Sequence, residues 1–121
     1  MLNGFSQQTA PLNDYEQNTL LPVIVSGLKT KIGAAKVIAG STIIKCMKAA
    51  GYKLDGPRLR KIINHIRANG CVPCLVSTSA GYYVATSPEE VDDCISSIQG
   101  RIASQQAIVD ALTKQRNQYF N

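Results

Sequence analysis

Six side chains between Arg58 and Arg67 have the most to offer a ligand: Arg58, Arg60, Lys61, Asn64, His65 and Arg67. Guanidinium and ammonium groups bind phosphate oxygens. An arginine or an asparagine can also read a guanine or an adenine edge through paired hydrogen bonds. Lys45 and Lys48 supply two further cations upstream. Two other groupings suggest different chemistry. Cys71-Val72-Pro73-Cys74 has the spacing of half a metal site. A structural zinc needs two such pairs or clear Cys/His partners, a second pair is missing, and residues three apart in a strand face opposite sides, so no metal is expected. Cys46 and Cys94 fall on apolar helical faces and read as core thiols. His65 has no nucleophile, phosphate-cradling loop or carboxylate pair beside it, so neither an enzyme nor a cofactor or small-molecule substrate is expected.

The elements that must position these groups follow from periodicity and caps. Residues 1–12 are rich in Gln, Ser and Asn and read as a flexible arm. Asn13 or Asp14 caps a first helix reaching about Lys31, with Leu20, Leu21, Ile24, Val25 and Leu28 at helical spacing; Pro22 kinks it or moves its start to near Thr19. Residues 36–40 suit one small strand or an extended link. Ser41 caps a second helix ended by Gly51, and Asp55 caps a third, with Pro57 in its first turn and Gly70 at its end. At 100° per residue, Leu59, Ile62, Ile63 and Ile66 share one face of that third helix. Pro57, Lys61 and Asn64 lie opposite, flanked by Arg58, Arg60, His65 and Arg67. One side is aliphatic and docks; the other is basic or amide and is left for a groove. Lys61 and Asn64, nearest the face centre, are the expected base readers, and the arginines the expected phosphate contacts.

Residues 71–85 change to strand signals: 74–77 and 82–85 flank a small polar turn. Thr78 and Ser79 at that turn are candidates for a weak backbone contact, since the tip has no cation. Tyr82 and Tyr83 alternate across the second strand, one for the core and one near the helix face. Ser87-Pro88-Glu89-Glu90 opens a last helix with a capping box. Along it Val91, Ile95, Ile98, Ile102, Val109, Leu112 and Tyr119 recur at alternating spacings of three and four, interrupted by Gln105 and Arg116. That is a seam for another helix, either the first helix of the same chain or a second copy in a homodimer. Gly100 is a weak point within it.

Charge is concentrated rather than spread. The net charge of the 121 residues is +5. Residues 36–85 hold Lys36, Lys45, Lys48, Lys53, Arg58, Arg60, Lys61 and Arg67 against Asp55 alone, a local +7. Such a block suits a polyanion, here double-stranded DNA. The apolar content of 45% excludes a disordered chain. No apolar run is long enough to span a membrane, and the N-terminal residues lack the basic start and apolar centre of a secretory signal, so the cytoplasm is the expected compartment.

The basic third helix with Ile62-Ile63-Asn64-His65-Ile66-Arg67 and Gly70 is followed by Pro73, Ser77, Gly81-Tyr82-Tyr83-Val84-Ala85 and Ser87-Pro88-Glu89-Glu90-Val91. Residues 54–95 thereby resemble the winged helix-turn-helix proteins common in bacteriophage and prophage genomes. The resemblance implies a winged helix fold and a role in phage DNA metabolism or transcription control, in a bacterial cell or phage-infected host. The Cys71–Cys74 segment and the less basic last helix depart from the pattern. The expected architecture is α+β and mostly helical: a flexible arm over 1–12, a winged helix domain over 13–86 (three-helix core plus hairpin wing), and a long C-terminal helix over 87–121 as a dimerisation element. The expected function is duplex binding through a recognition helix at about 55–69 in the major groove, as a regulator or replication accessory protein. The competing class is a winged helix protein-interaction module, such as a virion or replisome adaptor.

Overall fold

A computed structural model of the chain describes residues 10–120. The chain divides at Ser87–Pro88 into two compact units. The expected arm falls mostly on residues 1–9, outside the described residues; Leu12 is half-buried and packs on the core.

The first unit begins with a reciprocal cap. The Asn13 side chain accepts a hydrogen bond from the Glu16 amide at 2.9 Å, and the Glu16 carboxylate accepts one from the Asn13 amide at 2.9 Å. A π-helical turn, Glu16–Leu20, then leads into helix α1, Leu21–Leu28. The sequence left Pro22 as a kink or a late start. The structure resolves it with the wide turn: Leu21 N–H bonds five residues back to Glu16, so the backbone is already out of α register where the proline lacks its donor.

Helix α2, Gly40–Ala49, has Ala39 as its N-cap with no side-chain cap bond, so Ser41 is not the cap expected of it. Gly51, at φ +93°, follows its end. Helix α3, Gly56–Asn69, is capped by Asp55, whose carboxylate accepts the Arg58 amide at 2.9 Å, and is stopped by Gly70 in the left-handed conformation. Strands β1, Leu75–Thr78, and β2, Gly81–Val84, form an antiparallel hairpin with Val76 opposite Tyr83 and Thr78 opposite Gly81. The segment before α2 runs along the free edge of β2, where Ile38 and Tyr82 exchange both backbone hydrogen bonds, at 3.0 and 2.9 Å. β2 therefore has partners on both sides.

Leu20, Ile24 and Leu28 from the first helical segment, Ile43 and Met47 from α2, Leu59, Ile62, Ile63 and Ile66 from α3, and Leu75 from β1 form one core. Tyr83 is buried and Tyr82 half-buried, the division expected of alternating strand residues.

The second unit is one helix, α4, Pro88–Tyr119, of 32 residues. Gly100 does not interrupt it. No helix among the described residues is long and apolar enough to cross a membrane. The architecture is thus α+β, helix-rich, with the hairpin after the first three helices.

Two glycines should respond oppositely to alanine. Gly81 sits at φ +138° against the Ile38 carbonyl, where a Cβ would overlap backbone. Gly100 is helical, with nothing near the position of a Cβ. In thermal or urea unfolding, Gly81→Ala is expected to cost at least about 2 kcal/mol, and Gly100→Ala to stabilise α4 by about 0.5–1 kcal/mol.

Candidate nucleic-acid interface

The cations of α3 do not share one environment. Lys61, expected at the centre of the free face, is only 7% exposed. Its ammonium donates to Glu16 Oε1 at 2.7 Å, and Arg58 Nε donates to Glu16 Oε2 at 3.0 Å. Glu16 itself is 1% exposed. Arg58 also lies over the Tyr15 ring, 5.4 Å from its centre, and its Nη1 donates to the Lys53 carbonyl at 3.3 Å. The Tyr15 hydroxyl accepts the Lys53 amide at 2.8 Å. The first helical turns therefore cover one flank of α3 and neutralise part of its charge. Burying an ion pair is tolerable only with good geometry and satisfied lone pairs. Glu16 meets that condition with three donors: Lys61, Arg58 and the Asn13 amide.

These contacts change the acidity of Glu16. Burial alone pushes its carboxyl up. Hydrogen bonds from Lys61, Asn13 and Arg58, with the Lys61 charge, outweigh burial and hold it below the ordinary value of 4.5.

Arg67 is engaged in another way. Its guanidinium lies 5.9 Å from the centre of the Tyr82 ring, and Nε and Nη2 are buried with no acceptor among the described residues. His65 is half-buried and lines, with Lys61 and Asn64, a shallow cleft that α3 forms with residues 10–12. What α3 leaves open is a narrower stripe, with Arg60 and Asn64 both exposed and one turn apart. On α2, Lys45 and Lys48 are exposed on one face with Ser41. Thr78 and Ser79 are exposed at the hairpin turn, where the Thr78 hydroxyl accepts the Ala80 amide at 3.1 Å.

The four cysteines are free thiols. Among the described residues no group of three or more His, Cys, Asp or Glu side chains is placed to hold a metal. Cys46, expected in the core, is exposed, and Cys94 is half-buried. Ile43 and Met47 are the buried residues of α2; they and the exposed Cys46 line an open apolar cleft with Val23, Ile24 and Gly27.

Sequence reasoning missed Glu16. The signal was present: Asn13 and Glu16 have capping-box spacing, which fixes Glu16 in the first helical turn. Comparisons with protein-family models, with curated proteins and with solved structures find no match to this chain.

The Glu16 contacts make a stability prediction. Glu16→Ala strands the Lys61 charge in the interior and is expected to cost about 3–5 kcal/mol in urea unfolding. Glu16→Leu with Lys61→Met removes the two buried charges, leaves only the partly exposed Arg58 without its carboxylate, and is expected to cost less. Because the folded-state pKa of Glu16 is depressed, its contribution is complete above the ordinary carboxylate range and is lost as the pH falls below about 4.5. The double variant is expected to flatten that part of the stability profile.

Proposed function

We propose that the first unit is a winged helix module that binds duplex DNA, with α3 as its major-groove helix. The observation that carries the reading is the pair Arg60 and Asn64, exposed one turn apart on α3 away from its buried aliphatic face. Asparagine suits adenine and arginine suits guanine, so the pair has the chemistry of base readout. The exposed cations Lys36, Lys45, Lys48 and Lys53 supply candidates for phosphate contact. The hairpin after α3, with Ile38 bridged to its second strand, has the order and strand pairing of a winged helix. The resemblance of residues 54–95 to phage-type winged helix proteins points the same way, toward a regulator or replication accessory. Lys61 and Arg58 hold the helix in place rather than reading bases, and Arg67 supports the hairpin side through Tyr82.

Fluorescence anisotropy with a mixed-sequence duplex over a salt series tests the reading. The wild-type affinity is expected to fall steeply with salt, because cation–phosphate contacts release counterions. Arg60→Ala with Asn64→Ala is expected to weaken binding about tenfold or more at low salt. Lys45→Ala with Lys48→Ala is expected to reduce the salt slope by about two. The Glu16→Leu, Lys61→Met variant is expected to keep its affinity. Unchanged binding in the Arg60, Asn64 variant, or a large loss in the Glu16, Lys61 variant with its fold intact, overturns the assignment.

A further inference from the structure

Helix α4 has an apolar seam that nothing within its own unit covers. Its apolar positions recur at spacings of three and four from Val91 to Tyr119, interrupted by Gln105 and Arg116, in a heptad pattern with Ile95, Ile102 and Val109 at a and Val91, Ile98 and Leu112 at d; Val91 and Ile98 are half-buried and the other four exposed. Every described residue from Arg101 onward is exposed, and Ile102 is 63% exposed. A helix of 32 residues, roughly 48 Å long, would leave this stripe in water along most of its length.

We propose that α4 pairs with α4 of a second copy as an antiparallel two-stranded coiled coil, with Pro88 level with the partner's Tyr119. Charge selects the orientation. The first turns of α4 carry Glu89, Glu90, Asp92 and Asp93, and its end carries Lys114 and Arg116. A parallel pair would set the eight acids of the two chains at one end and place Arg116 on Arg116 inside the seam. Like charges at such positions are destabilising. An antiparallel pair sets each acidic end beside a basic end and aligns the helix dipoles favourably.

Register selects itself as well. In antiparallel coiled coils a positions face d positions. The alignment in which the two helices overlap from end to end places Ile95 level with the partner's Leu112 and Ile98 level with the partner's Val109. Ile102 falls level with the partner's Gln105, so the two glutamines bracket the twofold axis. Arg116 falls level with the partner's Val91, within two residues of the partner's Glu89 and Asp92. Full overlap and a-to-d packing coincide without a shift. This inference does not depend on any ligand of the first unit.

Sedimentation equilibrium on the full chain, with a distance measurement, tests it. The wild type is expected to be a dimer. Ile102→Asp is expected to weaken it at least about tenfold, and Gln105→Ile, which replaces the polar layer, to strengthen it about tenfold. For orientation, Cys46, Cys71, Cys74 and Cys94 are replaced by serine and a spin label is attached through Asp93→Cys. The antiparallel register separates the two labels by roughly 32 Å along the axis, whereas a parallel pair leaves them side by side. A monomer at all accessible concentrations, dimer affinity indifferent to both seam variants, or a short label distance in the dimer overturns the proposal.

Discussion

The Glu16 carboxylate is the point on which the first unit is organised. It is nearly inaccessible to water, and three groups from separate places in the chain satisfy it: the amide of its own helix cap, the ammonium of Lys61 and the guanidinium of Arg58. An interior charge cannot sit between positions, because displacing any donor leaves an uncompensated ion in a medium that solvates it poorly. Hydrophobic contacts hold α3 against α1 and α2, but such contacts are non-directional. The ion triad adds direction: it reinforces the rotation of α3 that its aliphatic stripe sets, with Lys61 and Arg58 turned to Glu16 and Arg60 and Asn64 outside.

That rotation is where sequence and structure part. The Asp55 cap, the Gly70 stop and the aliphatic stripe Leu59, Ile62, Ile63, Ile66 were readable because each depends on neighbours within a turn or two. The hairpin was readable for the same reason, apart from a shift of one residue in its strands. A helical wheel, however, orders residues by angle around one helix and is blind to what approaches from elsewhere. Lys61 lies away from the aliphatic stripe, and nothing within ten residues of it reveals that a carboxylate 45 positions earlier arrives on that side. Cys46 failed in the other direction. Its neighbours are apolar, but the α2 surface it occupies opens on a cleft instead of a packed partner. The backbone pairing of Ile38 with Tyr82 was open in the sequence as strand or link, since a single bridge leaves almost no compositional trace.

The consequence for the candidate site is a division of labour among cations that look alike in composition. Of the eight in residues 36–85, Arg58 and Lys61 share the single negative charge of Glu16 and Arg67 lies over Tyr82; Lys36, Lys45, Lys48, Lys53 and Arg60 face water. The effective charge of the exposed surface is smaller than the local +7 and is drawn from the turn before α2, α2 itself, the link after it and one turn of α3. Asn64, with no charge at all, becomes as informative as any lysine, because among the described residues it remains exposed on α3, beside the cleft that α3 forms with residues 10–12.

The triad also imposes an order of events on the chain as it is made. The segment carrying Asn13 and Glu16 is synthesised first, and its cap can form at once from neighbours three residues apart. Its other two partners follow 42 and 45 residues later. Until they arrive, a short helical stretch of this kind is marginal in water, and Glu16 has no reason to leave it. Closing that long loop carries an entropic cost, which is offset more readily when α3 presents Lys61 and Arg58 together on one flank. The early segment thus gains the partners of its buried charge only when α3 is delivered to it.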